Sequence, residues 1–98
     1  MTMHRLSIAR KVQVTGLVQG VGYRAWTQDQ ARQLGLTGWV RNEDDGSVTA
    51  FLEGNREEVE TMCDRMRDGP PAASVEGITV VAAEVPDSIL SDEFTVQR

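Results

Sequence analysis

A segment that reads as a strand, stops in a cluster of glycines and restarts at once as a helix leaves a chain few ways to fold. Val12, Gln13, Val14 and Thr15 alternate apolar and polar residues, a β pattern over Arg10–Gly16. The run Gly16-Leu-Val-Gln-Gly-Val-Gly-Tyr-Arg24 follows. Beyond it Tyr23, Thr27, Ala31 and Leu34 recur at helical spacing, and Gly35 marks the helix end. Gly16, Gly20 and Gly22 clear side chains from the turn, so its backbone N–H groups can surround an anion. The helix start adds a positive dipole end and unpaired donors. Arg24 adds a permanent charge in a planar fork that suits phosphate oxygens.

The rest of the chain repeats the strand and helix alternation. Thr37–Asn42 reads as a strand, Asp45-Gly46 as a hairpin turn, and Ser47–Glu53 as the returning strand. Asn55 with Glu58 three residues on has the form of a capping box. Val59, Met62, Cys63 and Met66 then mark one face of a second helix, ended by Gly69-Pro70-Pro71. Val75–Val85 is a further strand, Pro86–Ser91 a connection, and Phe94 with Val96 a last short strand. The order is βαββαβ plus a terminal strand. It predicts an α+β, ferredoxin-like sandwich: an antiparallel sheet, two helices on one face, and a short extra C-terminal strand. At 98 residues the chain is read as a single domain, 1–98, with residues 1–9 as a loose N-terminal tail.

Composition narrows the partners. Lys+Arg number 10 against 15 Asp+Glu, a net charge of −5, which argues against a nucleic-acid partner. An anion site in such a chain must be local and must work against the overall field. The longest apolar stretch, Ile78–Ala83 with Thr79 inside it, is too short to span a bilayer, so no membrane partner is expected. The N-terminal residues, with His4, Arg5 and Arg10, do not read as a secretory signal. Cys63 is the only cysteine, which leaves no internal disulfide or cysteine-based metal cluster. A cytoplasmic monomer is the expectation.

Each candidate residue has a plain reading beside the chemical one. The glycine run is not a Walker A loop, since Val21-Gly22 stands where Lys and Ser/Thr are needed. Gly20-Val-Gly22-Tyr-Arg-Ala25 does match the dinucleotide pattern G-x-G-x-x-G/A, with Asp44 or Asp45 at the ribose-acid distance. The Asp45-Gly46 hairpin and the short chain count against it. A turn needing glycine only for its backbone angles leaves Arg24 unexplained. A cation in the first turn opposes the helix dipole at a cost of about a few tenths of a kcal/mol unless an anion joins it. Asn42, taken alone, is first a turn residue, yet its amide offers the donor and acceptor that orienting a water requires. Glu43-Asp44-Asp45 is read as a solvated turn rather than a Mg²⁺ site, and no metal is expected. Cys63, Met62 and Met66 are read as core, and Trp26 and Trp39 as packing groups.

An anion nest, one arginine and one amide form a short kit with no histidine, nucleophile or metal. Such a kit suits a leaving group that departs without a general acid. In an acyl phosphate that group is a carboxylate, and phosphoryl transfer needs chiefly positioning and charge stabilisation.

The stretches Gly16–Arg24, Ala31-Arg-Gln-Leu-Gly-Leu-Thr-Gly-Trp-Val-Arg-Asn42 and Asp45-Gly46-Ser-Val48 resemble the acylphosphatase family. The similarity runs on through Gly54, the second helix and Gly69-Pro70-Pro71, covering about Arg10 to Arg98. It implies the ferredoxin-like fold and hydrolysis of the carboxyl–phosphate bond of a small-molecule acyl phosphate without metal or cofactor. It also implies roles. The family's phosphate-binding arginine falls on Arg24 and its water-orienting asparagine on Asn42, the two catalytic residues. The phosphate loop falls on Gln19, Gly20, Val21, Gly22 and Tyr23, where inorganic phosphate or another anion is also expected to fit. The departures are Tyr23, where phenylalanine is usual, Thr49, where several bacterial members carry an acid, and Glu43, which adds charge beside Asn42. The other reading is a ferredoxin-like module that binds a phosphate or similar anion without turnover.

Overall fold

The computed structural model describes residues 7–85 and 93–98. Its elements are β1 (Ser7–Leu17), α1 (Tyr23–Gln33), β2 (Thr37–Asn42), β3 (Val48–Asn55), α2 (Arg56–Asp68), β4 (Ser74–Ala83) and β5 (Phe94–Gln97). The strands form one sheet in the order β4-β1-β3-β2-β5. β3 lies antiparallel between β1 and β2, and β1 lies antiparallel between β3 and β4. Each βαβ unit is thus split by a strand of the other, which defines the ferredoxin-like topology. This order leaves β1 without the adjacent parallel strand of a doubly wound sheet, so the dinucleotide pattern at Gly20–Ala25 lacks its structural context.

Three expectations need correction. Residues 1–9 do not all belong to a tail. Ser7, Ile8 and Ala9 open β1, and Ala9 is buried between Glu53 of β3 and Ala83 of β4. The sheet is mixed rather than purely antiparallel, because β5 runs parallel to β2. The capping box is not formed: Asn55 occupies the N-cap of α2 but makes no side-chain cap bond. Asn55 is also the last residue of β3, paired with Ser7, so the ladder rather than a side chain sets the helix entry. The strand read over Val75–Val85 is observed as Ser74–Ala83. The connection at Pro86–Ser91 and the residue His4 lie outside the described residues.

The core lies between the helices and one sheet face. Val12, Val14, Val40, Val48, Ala50 and Leu52 alternate inward and are fully buried. Val59, Met62, Cys63 and Met66 of α2 and Tyr23, Thr27 and Ala31 of α1 meet them. Full burial of each large apolar side chain stabilises the fold by roughly 1.5–3 kcal/mol. Burial also raises the Cys63 thiol pKa, which fits a packing role. The helices are tied by two polar contacts. The Tyr23 hydroxyl donates to the Met66 carbonyl at 2.7 Å, and Arg65 Nη1 donates to Gln30 Oε1 at 2.7 Å.

Among the described residues the other sheet face carries no helix. There Trp39 stacks on Phe51 at 6.2 Å, and the Arg41 guanidinium lies 4.7 Å from the Trp39 ring centre. Trp26 packs against Tyr23 at 5.5 Å. Both tryptophans are packing groups, as their sequence positions predict.

Candidate active site

The strand-to-helix joint begins with an irregularity. The β1–β4 register shifts between Thr15 and Gly16. Gly16 has φ +120°, and a Cβ there would lie 2.3 Å from the Ser74 carbonyl oxygen, so only glycine fits the bulge. Residues 18–22 then leave the sheet and deliver the chain to α1. Gly20 and Gly22 have φ near +76° and +79°, and nothing lies within 4 Å of where a Cβ would stand. Backbone conformation and open space, not packing, therefore demand glycine at both. Among the described residues, no N–H from Gln19 to Gly22 donates to a backbone carbonyl. The loop thus leaves these donors unused by the backbone, next to the unpaired N-terminus of α1.

Gln19 is used in a way its place in the loop does not reveal. Its Nε2 donates to the Glu43 carbonyl at 2.8 Å and the Ser47 carbonyl at 2.9 Å. The side chain straps the loop to the β2–β3 turn, which begins directly after Asn42. That turn is built as its sequence predicts. The Glu43 N–H donates to the Ser47 carbonyl at 2.8 Å, and Asp45 Oδ1 accepts from the Ser47 N–H at 2.9 Å and hydroxyl at 2.6 Å. These bonds to Ser47 hold the Asp45 carboxyl below the usual carboxylate range.

Arg24 and Asn42 line one hollow of about 360 Å³, together with Gly20, Gly22 and Tyr23. The loop residues Gln19 and Val21 flank it in sequence without lining it. Arg24 is half-buried in the first turn of α1, and its Nη1 donates to the Gln97 carbonyl of β5 at 2.9 Å. Gln28, one turn on, donates to the Phe94 carbonyl at 3.0 Å. β5 therefore steadies the helix face that carries Arg24. The Asn42 carboxamide makes no hydrogen bond among the described residues and so keeps its donor and acceptor for the hollow.

Strand alternation settles the neighbouring charges. Arg41 and Glu43 flank Asn42 in sequence and project to the helix-free face. There Arg41 Nε donates to Glu43 Oε2 at 3.0 Å. A bond from Thr49, then the one from Arg41, holds the Glu43 carboxyl below its usual range. The charge that sequence order sets beside Asn42 is thus turned to the opposite side of the sheet. A larger hollow of about 550 Å³ lies on that side, between Lys11, Thr79 and the Glu43–Asp45 turn, and contains neither Arg24 nor Asn42. Size is a poor guide here. The smaller hollow combines a cation, a free amide and unpaired backbone donors.

Sequence reading missed the contribution of β5, whose Phe94 and Gln97 carbonyls accept from Gln28 and Arg24, and of Arg98 just beyond it, which also lines the smaller hollow. The alternation Phe94, Val96, Arg98 does put Arg98 on the face of the buried residues. Nothing local says which strand β5 joins.

Fold and hollow together define a ferredoxin-like α+β protein with a small arginine-lined hollow between a glycine loop and a strand end. The acylphosphatase family model matches residues 10–96. An acylphosphatase of Rhizobium etli is 49% identical over 77 residues, 79% of this chain and 82% of the relative. One of Mesorhizobium japonicum is 54% identical over 76 residues, 78% of this chain and 81% of the relative. The structure of an acylphosphatase from Coxiella burnetii superposes with a TM-score of 0.90 at 32% identity, covering 99% of this chain and 100% of that one. The chain belongs to the acylphosphatase family.

Proposed function

We propose that the chain hydrolyses acyl phosphates with Arg24 and Asn42 as its catalytic residues and the Gln19–Tyr23 loop as its phosphate cradle. The observation that carries this reading is the single hollow in which Arg24, Asn42, Gly20 and Gly22 meet. The loop N–H groups and Arg24 hold the three non-bridging phosphoryl oxygens. Asn42 accepts from a water and donates to a phosphoryl oxygen, aligning that water with the P–O bond to be broken. The water oxygen bonds to phosphorus, and the bridging oxygen leaves with its electron pair as a carboxylate. The products are a carboxylate and dihydrogen phosphate. The transition state is loose, so a neutral water suffices as nucleophile, and the leaving group needs no proton.

Hydrolysis of an aryl acyl phosphate by the purified protein tests this. Asn42→Ala should lower turnover by about 10²–10³ while inorganic phosphate still inhibits. Arg24→Ala should weaken phosphate inhibition as well. Saturable phosphate binding with equally slow hydrolysis by wild type and both variants would instead mark an anion-binding module.

A further inference from the structure

The hollow of Arg24 and Asn42 is larger than the phosphoryl group alone requires. At about 360 Å³ it has room for about twelve water-sized groups of about 30 Å³ each, whereas a phosphoryl group is one phosphorus and three oxygens. Gly20, Gly22, Arg24 and Asn42 account for the phosphate end of the lining. Ala25 and Gln28 of α1 and Val96 of β5 also line the hollow, and phosphate binding makes no use of them. Ala25 and Gln28 are three residues apart and share one helix face. The Gln28 side chain reaches across to β5, where its Nε2 donates to the Phe94 carbonyl at 3.0 Å. Val96 is held by packing against the core. Ala25 differs from both: it is exposed, so core packing does not call for a small residue there. A longer side chain at that position would lean back over the turn that holds Gly22 and Arg24.

We propose that Ala25, Gln28 and Val96 form the subsite for the acyl group, and that the small side chain of Ala25 admits acyl groups larger than acetyl, with a flat or branched apolar body. The inference rests on reading the hollow as the phosphoryl site. In-line displacement sends the leaving oxygen away from the attacking water. With that water on Asn42 at the end of β2, the acyl group lies toward α1, where the hollow continues along Ala25 and Gln28. Apolar contact there is made by the acyl group alone. It discriminates between acyl phosphates and leaves binding of inorganic phosphate unchanged.

The test compares kcat/KM for benzoyl phosphate and acetyl phosphate in wild type, Ala25→Leu and Ala25→Ser. Ala25→Leu fills the subsite and should lower the benzoyl-to-acetyl ratio by at least about tenfold, with phosphate inhibition within about twofold of wild type. Ala25→Ser nearly keeps the volume and should leave the ratio within about twofold. Ala25 is exposed and leucine is a good helix former, so Ala25→Leu should keep the wild-type melting temperature. The inference is overturned if Ala25→Leu leaves the ratio unchanged, or if Ala25→Ser shifts it equally. It is also overturned if phosphate inhibition weakens as much as benzoyl phosphate hydrolysis does, which would put residue 25 at the phosphate end. Benzoylphosphonate and acetylphosphonate carry a carbon–phosphorus bond that is not hydrolysed. Calorimetric titration of wild type and Ala25→Leu with both reads the same difference without turnover. A difference in phosphonate binding without any hydrolysis would refute the hydrolase reading alone, and hydrolysis without a difference would refute the acyl subsite alone.

Discussion

Replacing Gln19 by alanine separates two meanings of its place in the loop. If its side chain touched the phosphoryl group, the loss would appear in phosphate affinity. The structure engages the amide elsewhere, with bonds of 2.8 and 2.9 Å to the Glu43 and Ser47 carbonyls. Each such bond contributes about 0.5–1.5 kcal/mol net, so the strap is worth about 1–3 kcal/mol. If about 2 kcal/mol of that is felt as misplacement of Asn42, turnover falls about 30-fold, since about 1.4 kcal/mol is a decade. The assay is a double-mutant cycle on kcat with Gln19→Ala, Asn42→Ala and the pair. Gln19 acting through Asn42 predicts a 10- to 30-fold loss in wild type, by the same about 1.4 kcal/mol per decade, and little further loss in Asn42→Ala. Inorganic phosphate should inhibit Gln19→Ala almost as it does wild type. Equal losses in both backgrounds, or a loss confined to phosphate affinity, would refute the reasoning.

Four further outcomes follow from the helices and the turn. Tyr23→Phe removes the donor to the Met66 carbonyl in the last turn of α2 and should cost about 1 kcal/mol, a fall of about 4–8 °C in melting temperature for a domain of this size. Burial raises the Tyr23 pKa well above its usual 10.0, so phenolate absorbance should not develop at pH 10 while the protein is folded; the raised value adds stability below that pH that is lost above it. Thr27→Val removes a fully buried hydroxyl that has no partner among the described residues and keeps its shape, so denaturant unfolding should show a gain of about 1 kcal/mol; a loss would mean that the hydroxyl is satisfied in solution. Glu43 and Asp45 both have lowered pKa values, so their contribution is present above the ordinary values of 4.5 and 3.8 and is lost as pH falls through and below them. Acid titration of stability should show this loss, and Asp45→Asn should flatten it.

The parts of this molecule that were legible in sequence are those set by neighbours along the chain. The strand before Gly16, the helix after Gly22 and the turn at Asp45-Gly46 each carry their own periodicity or turn chemistry. Arg24 and Asn42 were legible because each sits at the end of such an element. The Gln19 strap reaches carbonyls 24 and 28 residues away, and the Arg24 anchor spans 73. Residue type gives no sign of either. β5 joins β2 rather than the other edge, next to β4, and no feature of Phe94–Gln97 chooses between the two. Asn55 and Glu58 show the opposite error. A local pattern suited to a cap went unused because Asn55 already belongs to a strand pair.

The same pleat that hides long-range partners explains how an acidic chain keeps its carboxylates away from the hollow of Arg24 and Asn42. Arg41, Asn42, Glu43 and the carboxylates after them are consecutive, and in a loop their charges would mix. Held at the end of β2, they separate. Asn42 faces the arginines, while Glu43 is fixed at 3.0 Å to Arg41 on the other side of the sheet. Thr49 and Arg41 both hold its carboxyl below the usual range. Thr49 is almost fully buried and lies opposite Arg41 in the β2–β3 register, so it stands beside the Arg41–Glu43 pair. An acid at position 49 would compete with Glu43 for Arg41 and leave one carboxylate unpaired beside the turn.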